Sequence, residues 1–335
     1  MKPYHRLEVA EVIEETPDAR SLVLRVPPEL AEDFVYRPGQ FLTVRVPNGA
    51  TGSVARCYSL SSAPTTDQHL KITVKRVPDG HVSNWICDKV TAGTRLELLP
   101  PAGTFTPGSV DGDLLLLAAG SGITPVMSII KAALAEGRGH LALFYANRDE
   151  RSVIFADELR ELETRHPRRL AVRHWLDVGQ GPPTAAALTP FFAGYAAREA
   201  FVCGPEPYLA VACQALRDAG VPEERIRVER FESTMDVTEP AADGRVATVE
   251  VELDGFERTL PWPAERRLLD VLIAAGINPP YSCRQGNCGA CACRIVSGEV
   301  RLLHNEILEP EDFADGYTLA CQALPVTDTV RITYS

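Results

Sequence analysis

Apolar and polar positions alternate through the first hundred residues: Leu22, Leu24 and Val26, then Leu42, Val44 and Val46, then Leu70, Ile72 and Val74. A period of two, broken by Pro and Gly, predicts strands of an antiparallel sheet or small barrel. From about Asp111 the pattern changes. Leu114 to Ala119 is an unbroken apolar run that predicts a buried strand, followed by the glycine turn Gly120-Ser-Gly-Ile-Thr-Pro125. A helix over 126–136 then opens behind a proline, which suits a first helical turn. Residues 141–145, 170–176, 200–203 and 226–231 read as further strands, with helices over 154–166 and 207–219, the second capped by Gly220. Strands alternating with helices predict a doubly wound parallel sheet. Residues 232–245 have no apolar period. Beyond them Ala247, Val249, Val251 and Leu253 alternate up to the hairpin signal Asp254-Gly255, and a helix over 268–275 stops at Gly276. Three units follow: a β-barrel over 1–107, an α/β unit over 108–234 and, after a linker over 235–245, a small α+β module over 246–335.

Composition narrows the function. The 335 residues are 45% hydrophobic and 24% charged, an ordinary globular balance. The longest apolar run is too short to span a bilayer, and the polar, acidic opening residues do not resemble a secretory signal. A net charge of −11 argues against a nucleic-acid binder, which needs a basic face. The charge is uneven: residues 236–335 hold 8 Arg, no Lys and 16 Asp or Glu. Nine cysteines without an export signal argue against structural disulfides and for a cytoplasmic protein.

Five of those cysteines fall between Cys283 and Cys321. The loop Cys283-Arg-Gln-Gly-Asn-Cys288-Gly-Ala-Cys291, with Cys321 downstream, has the C-x4-C-x2-C…C spacing of plant-type 2Fe–2S ferredoxins. Four thiolates must converge on two irons, so three come from one tight loop and the fourth from a distant strand. Gly286 and Gly289 let the loop curl so that its N–H groups face the sulfurs. Zinc sites usually show paired C-x2-C units, and only one is present here. A Rieske centre needs two histidine ligands, and no histidine lies in the loop. Cys293 points away from such a cluster into the core.

Two further motifs precede the cysteines. In Arg56-Cys-Tyr58-Ser59-Leu60, the arginine would neutralise a flavin pyrophosphate, Tyr58 would pack on the ring system, and Ser59 would hydrogen-bond near N5. Lys75 and the turn Gly80-His-Val-Ser83-Asn84 offer phosphate contacts at a helix start. An ordinary Arg–Tyr pair on a strand is the plainer alternative. Gly120, Gly122, Ile123, Thr124 and Pro125, after a buried strand, form a place where a dinucleotide backbone can approach, although Pro125 stands where a third glycine would be. Cys203-Gly204-Pro205 ends another strand at the same edge of the sheet; Cys203 is either beside a nicotinamide or a small buried hydrophobe. Arg148 favours a 2′-phosphate and Asp149 favours NADH, which leaves NADPH open. The chemistry is coherent: a hydride carries two electrons, the cluster accepts one, and a flavin mediates.

These motifs, in this order and across essentially the whole chain, resemble the ferredoxin–NADP reductase superfamily with a C-terminal ferredoxin domain. Arg56-Cys-Tyr-Ser-Leu60, the stretch from Val74 to Asp88, Leu115 to Ile130, Tyr145 to Phe155 and the cysteine loop are most similar to reductase components of 3-ketosteroid 9α-hydroxylase. Reductases of phenylacetyl-CoA epoxidase are the close competitor in layout. The resemblance implies FAD rather than FMN, NADH or NADPH as donor, and Glu229 and Phe231 near the far face of the flavin. Ser59 and Glu229 would support proton movement at N5. It also implies electron delivery to a terminal oxygenase of the Rieske type, with no membrane or nucleic-acid partner; a stand-alone reductase for another soluble redox protein would carry the same motifs. The acidic bias of 236–335 is either a solvated surface or a docking face for a basic patch on that partner.

Overall fold

The period-two stretches form β1 (His5–Thr16), β2 (Ala19–Arg25), β3 (Phe41–Asn48), β4 (Gly52–Ser59), β5 (Leu70–Lys75) and, after α1 (His81–Lys89), β6 (Arg95–Ala102). This computed structural model describes residues 3–49, 52–231, 244–253, 255–277 and 279–334. The six strands make one sheet in the order β4-β3-β6-β1-β2-β5. Its two outer strands come together where Leu60 bridges Ile72, so the sheet closes into a barrel and hides its edges. Leu7, Val9, Leu22, Leu24, Leu42 and Ile72 fill it, each fully buried.

The α/β unit runs β7 (Leu114–Ala119), α2 (Ile123–Glu136), β8 (Leu141–Asn147), α3 (Ala156–Arg165), β9 (Leu170–Leu176), α4 (Asp177–Gln180), α5 (Ala185–Phe192), β10 (Glu199–Cys203), α6 (Glu206–Asp218) and β11 (Ile226–Glu229). The parallel sheet has the order β11-β10-β7-β8-β9. The apolar run of β7 is explained by its central place. Leu114, Leu116 and Ala118 enter the core on one face, and Leu115, Leu117 and Ala119 enter the core on the other. Two details depart from the sequence reading. α2 starts at Ile123 rather than 126, because Gly120–Gly122 is a 3-10 turn that leads directly into it. Pro125 is tolerated there because the first helical N–H groups lack partners in any case. α5, absent from the sequence reading, is hidden by the preceding prolines and by Pro190 inside it; Thr184 caps it by accepting from Ala187 N–H.

Barrel and α/β unit are tied by buried chemistry. Phe105 meets Phe201 edge-to-face at 5.2 Å. Lys131 of α2 pairs with Asp67 at 2.7 Å and with Glu158 of α3 at 3.0 Å, and Lys71 of β5 reaches Glu158 at 3.1 Å. Both ammonium groups have carboxylate partners, as buried charge requires.

The last module contains β12 (Val246–Leu253), β13 (Phe256–Pro263), α7 (Leu268–Ala274), β14 (Ala292–Ser297), β15 (Val300–Leu302), α8 (Pro310–Ala314), β16 (Tyr317–Leu319), β17 (Ala323–Pro325) and β18 (Thr329–Thr333). Its main sheet has the order β13-β12-β18-β14-β16, with β12 and β18 parallel. Trp262, Leu268, Leu272, Val330 and Ile332 form its core, and Cys293 lies there too. The β12–β13 pairing, with Leu253 opposite Phe256, is the expected hairpin; Asp254 itself and most of the linker, residues 232–243, lie outside the described residues.

The chain divides into two compact units that do not follow chain order. One is Met1–Tyr4, Thr43–Cys57 and Ser233–Ser335; the other is His5–Leu42 and Tyr58–Glu232.

Candidate active site

At the carboxyl ends of β7, β8 and β9 lies a cleft of about 920 Å³, where open parallel sheets bind ligands. Asp18, Lys75, Arg76, Gly120, Arg148, Asp177 and Tyr208 are among the residues that line it. Gly120 takes φ +53°, and its carbonyl accepts from the Tyr145 hydroxyl at 3.0 Å. Gly122 is glycine for a harder reason. A Cβ there would stand 2.1 Å from the Cys203 carbonyl oxygen, so the turn and the end of β10 meet backbone to backbone. Gly204 is less tightly confined: a Cβ there would stand 2.9 Å from the Tyr208 ring and 3.0 Å from Ala119. Ile123, Thr124 and Pro125 are buried, and the Thr124 hydroxyl donates to the Ser121 carbonyl at 3.0 Å. They seat the helix, while Gly120 and Pro205 reach the cleft.

The expected choice between Arg148 and Asp149 takes a different form. Asp149 is spent locally, accepting from Ser152 N–H at 2.9 Å and from its hydroxyl at 2.7 Å. Arg148 lines the cleft but is 70% exposed, and Asp18 lies 3.7 Å from it. Lys75 approaches the same Asp18 carboxylate at 3.7 Å, which places Lys75 in this cleft. Sequence reasoning missed Asp177 and Tyr208. Among the described residues, Asp177 Oδ1 and the Tyr208 hydroxyl are buried without a hydrogen-bond partner, and burial pushes the Asp177 carboxyl above its ordinary range. Unpaired buried polar atoms that line a cleft fit a hydroxyl-rich ligand such as a dinucleotide. The missed signal was an acid directly after β9, at the ligand edge of the sheet.

Cys203 is fully buried and its thiol is pushed well up, by burial first and by Glu229 second. Glu229 sits opposite it in the β10–β11 register, and burial raises its carboxyl to about 8. That carboxyl holds a proton at neutral pH. Phe231, beyond the end of β11, is 43% exposed.

Arg56 and Tyr58 share one face of β4 by the two-residue period. The Arg56 guanidinium donates to the Ala55 carbonyl at 2.7 Å. Ser59 is buried, while Leu60 is a barrel-wall residue whose side chain is fully enclosed and whose N–H donates to the Gln40 carbonyl at 2.8 Å. At the start of α1, Ser83 accepts from Val77 N–H at 3.2 Å and Asn84 donates to the Val77 carbonyl at 3.2 Å. A Cβ on Gly80 would stand 2.7 Å from Ser83 Oγ. The turn is therefore a tight cradle at the start of a helix, a place that fits a phosphate.

The four cysteines come together in pairs. Among the described residues no three His, Cys, Asp or Glu side chains gather on one point, as a mononuclear ion requires. Instead Cys283 and Cys288 are hydrogen-bonding partners, and so are Cys291 and Cys321. Two pairs of thiols are what two irons take. The Cys283 N–H points to Cys288 Sγ at 3.5 Å and the Gln285 N–H to Cys283 Sγ at 3.3 Å. Gln322 Nε2 points to Cys321 Sγ at 3.6 Å. Cys283 and Cys291 are pushed up by their partner thiols and by burial, whereas Cys321 is held down by Cys291 and the surrounding donors. The positive φ of Gly286 and Gly289 permits the curl. A Cβ on Gly286 would also stand 2.8 Å from the His304 carbonyl oxygen.

The chain contains a match to an oxidoreductase FAD-binding domain over residues 6–106, to an oxidoreductase NAD-binding domain over 116–214 and to a 2Fe-2S iron-sulfur cluster binding domain over 251–326. It is an oxidoreductase of the modular class that joins these three domains, and it belongs to the family that includes ferredoxin reductase components of monooxygenases. One member, the ferredoxin reductase component of 3-ketosteroid-9-alpha-monooxygenase from Mycolicibacterium smegmatis, is 55% identical over 98% of this chain and 96% of its own length. One of the subunits of 1,2-phenylacetyl-CoA epoxidase from Escherichia coli is 32% identical over 100% of this chain and 98% of its own. Among solved structures, phthalate dioxygenase reductase, described as a modular structure for electron transfer from pyridine nucleotides to [2Fe-2S], aligns with TM-score 0.61 at 25% identity, covering 98% of each chain. Among the described residues no helix is long and apolar enough to cross a membrane.

Proposed function

We propose that the chain draws electrons from NADH and passes them, through FAD and a 2Fe–2S cluster, to the terminal oxygenase of a 3-ketosteroid 9α-hydroxylase, a Rieske-type partner. The observation that carries the electron-transfer reading is one chain holding both a dinucleotide cleft with unpaired polar groups and a four-cysteine site arranged in two pairs. The steroid assignment is supported by the 55% identity along nearly the full length of both chains; the epoxidase reductase, at 32%, is the second reading.

FAD supplies an acceptor for the hydride of NADH, and the 2Fe–2S cluster a one-electron carrier. The chain's own groups do the rest. Asp177 accepts ribose hydroxyls, which favours NADH because a 2′-phosphate would face that carboxylate. Arg148, facing Asp18, is poorly placed to compensate. Lys75 and Arg76 give the cleft positive charge for the pyrophosphate. The Gly120–Gly122 turn and Cys203-Gly204-Pro205 let the nicotinamide end approach closely, because no side chain stands between the two backbones. Arg56, Tyr58, Ser59, Gly80, Ser83, Asn84 and Phe231 are assigned to the flavin. Glu229, protonated at neutral pH, holds a proton beside Cys203. Cys283, Cys288, Cys291 and Cys321 are assigned as the cluster ligands.

The test is reconstitution. Purified protein, NADH and the oxygenase component of a 3-ketosteroid 9α-hydroxylase should consume NADH in step with steroid hydroxylation. Productive coupling to an epoxidase component but not to the hydroxylase would select the second reading. Because the cluster-bearing domain is strongly acidic, partner reduction should slow as ionic strength rises.

A further inference from the structure

Apart from the four assigned ligands, Cys57 is the cysteine that meets the cluster loop. Cys87 and Cys213 are buried side chains in the unit of His5–Leu42 and Tyr58–Glu232, and Cys293 lies in the core of the last module. Cys57, on β4, belongs to the compact unit formed by Met1–Tyr4, Thr43–Cys57 and Ser233–Ser335. Its sulfur accepts from the Ser282 hydroxyl at 3.0 Å, lies 3.5 Å from Thr43 Oγ1, and stands beside Cys288, whose thiol it helps to push up. The neighbouring Arg56 guanidinium stands 5.4 Å from the centre of the Tyr281 ring, which Arg284 approaches at 5.8 Å. Two successive residues of the strand assigned to the flavin thus meet Tyr281 and Ser282, just ahead of the first ligand.

We propose that Cys57 is a positioning residue of the iron–sulfur site, donating its S–H to the Cys288 sulfur and so raising the potential at which the cluster accepts its electron. The proposal rests on the assignment of the four cysteines as ligands. A ligating Cys288 is a thiolate and can only accept. Ser282 donates to Cys57 and the Thr43 hydroxyl is placed to donate as well, which leaves the Cys57 proton to point onward, giving the relay Ser282 O–H to Cys57 S–H to Cys288. Reduction adds one electron and no bond, and the extra negative charge strengthens every hydrogen bond the ligand sulfurs accept. A donor at Cys288 therefore favours the reduced state, as hydrogen bonds to cluster sulfurs do generally.

The experiment is an equilibrium redox titration of the holoprotein, following the cluster by EPR and the flavin by absorbance in the same sample. Cys57→Ala should move the cluster to a more negative potential, lowering its one-electron equilibrium against a fixed donor about tenfold, or about 59 mV. Cys57→Ser should restore most of the shift because a donor remains. Ser282→Ala should move the cluster in the same direction by less, and it carries the test if Cys57→Ala does not assemble a cluster. The flavin should move less than the cluster in each case. A one-electron equilibrium within threefold of the unmodified protein's, equal behaviour of the Ala and Ser variants, or equal shifts of flavin and cluster would overturn the proposal. Failure of the ligand assignment is separate, since it shows as an unchanged cluster spectrum in Cys288→Ser.

Discussion

Replacing Gly122 by alanine is the sharpest perturbation of the nicotinamide cleft. The new Cβ would lie 2.1 Å from the Cys203 carbonyl oxygen, 2.4 Å from its carbon and 2.7 Å from Gly204 N. All three are backbone atoms, so no side chain can swing aside. Restoring a separation near 3 Å requires the turn and the end of β10 to part by roughly 1 Å, a misplacement that can cost on the order of 100-fold in a reaction depending on close approach. The overpacking itself should cost about 1–3 kcal/mol of stability. Stopped-flow measurement of flavin reduction by NADH reads the first effect, and thermal unfolding the second. Chemical reduction of the cluster by dithionite should be retained, because the cysteine site is in the other compact unit. Flavin reduction within threefold of the unmodified rate, in a variant of unchanged Tm, would refute the close-approach argument.

Three further outcomes follow from the same geometry. Glu229 has a folded value of about 8 against an ordinary 4.5, so the stability associated with its protonated form is complete below about 4.5 and is lost as pH rises through 8. Flavin reduction by NADH should fall above about pH 8, and Glu229→Gln should flatten both profiles; matching profiles in the two proteins would remove Glu229 from the proton pathway. Asp177→Asn should weaken discrimination for NADH by about 10-fold or more in kcat/KM, the worth of about 1.5–3 kcal/mol for a hydrogen bond to a charged group, and unchanged NADH and NADPH ratios would show that Asp177 does not face the ribose. Cys288→Ser should abolish the cluster EPR signal while NADH still bleaches the flavin; loss of flavin reduction as well would contradict the division of labour between the two sites.

The chain order of apolar patterns was enough to determine the architecture, because periods of two and of three to four are local properties. Leu114 to Ala119 could only be a strand covered on both faces. The spacing from Cys283 to Cys291 pointed to the cluster type for the same reason: three of the assigned ligands lie within one loop, and loop geometry is set by nearby residues such as Gly286 and Gly289. Phase at helix ends was less legible. α2 begins three residues early because a 3-10 turn joins it, and α5 was concealed by the prolines around and within it. Tertiary structure alone decided the cleft's chemistry. Arg148 and Asp149 are adjacent in sequence, yet one faces Asp18 and the other caps a turn, while Asp177, nearly thirty residues on, brings the unpaired carboxylate oxygen. Cys57 and Ser282 are 225 residues apart. No local pattern relates such pairs, because their proximity arises from packing between elements, and that long-range packing turns an otherwise ordinary cysteine into a neighbour of the electron carrier.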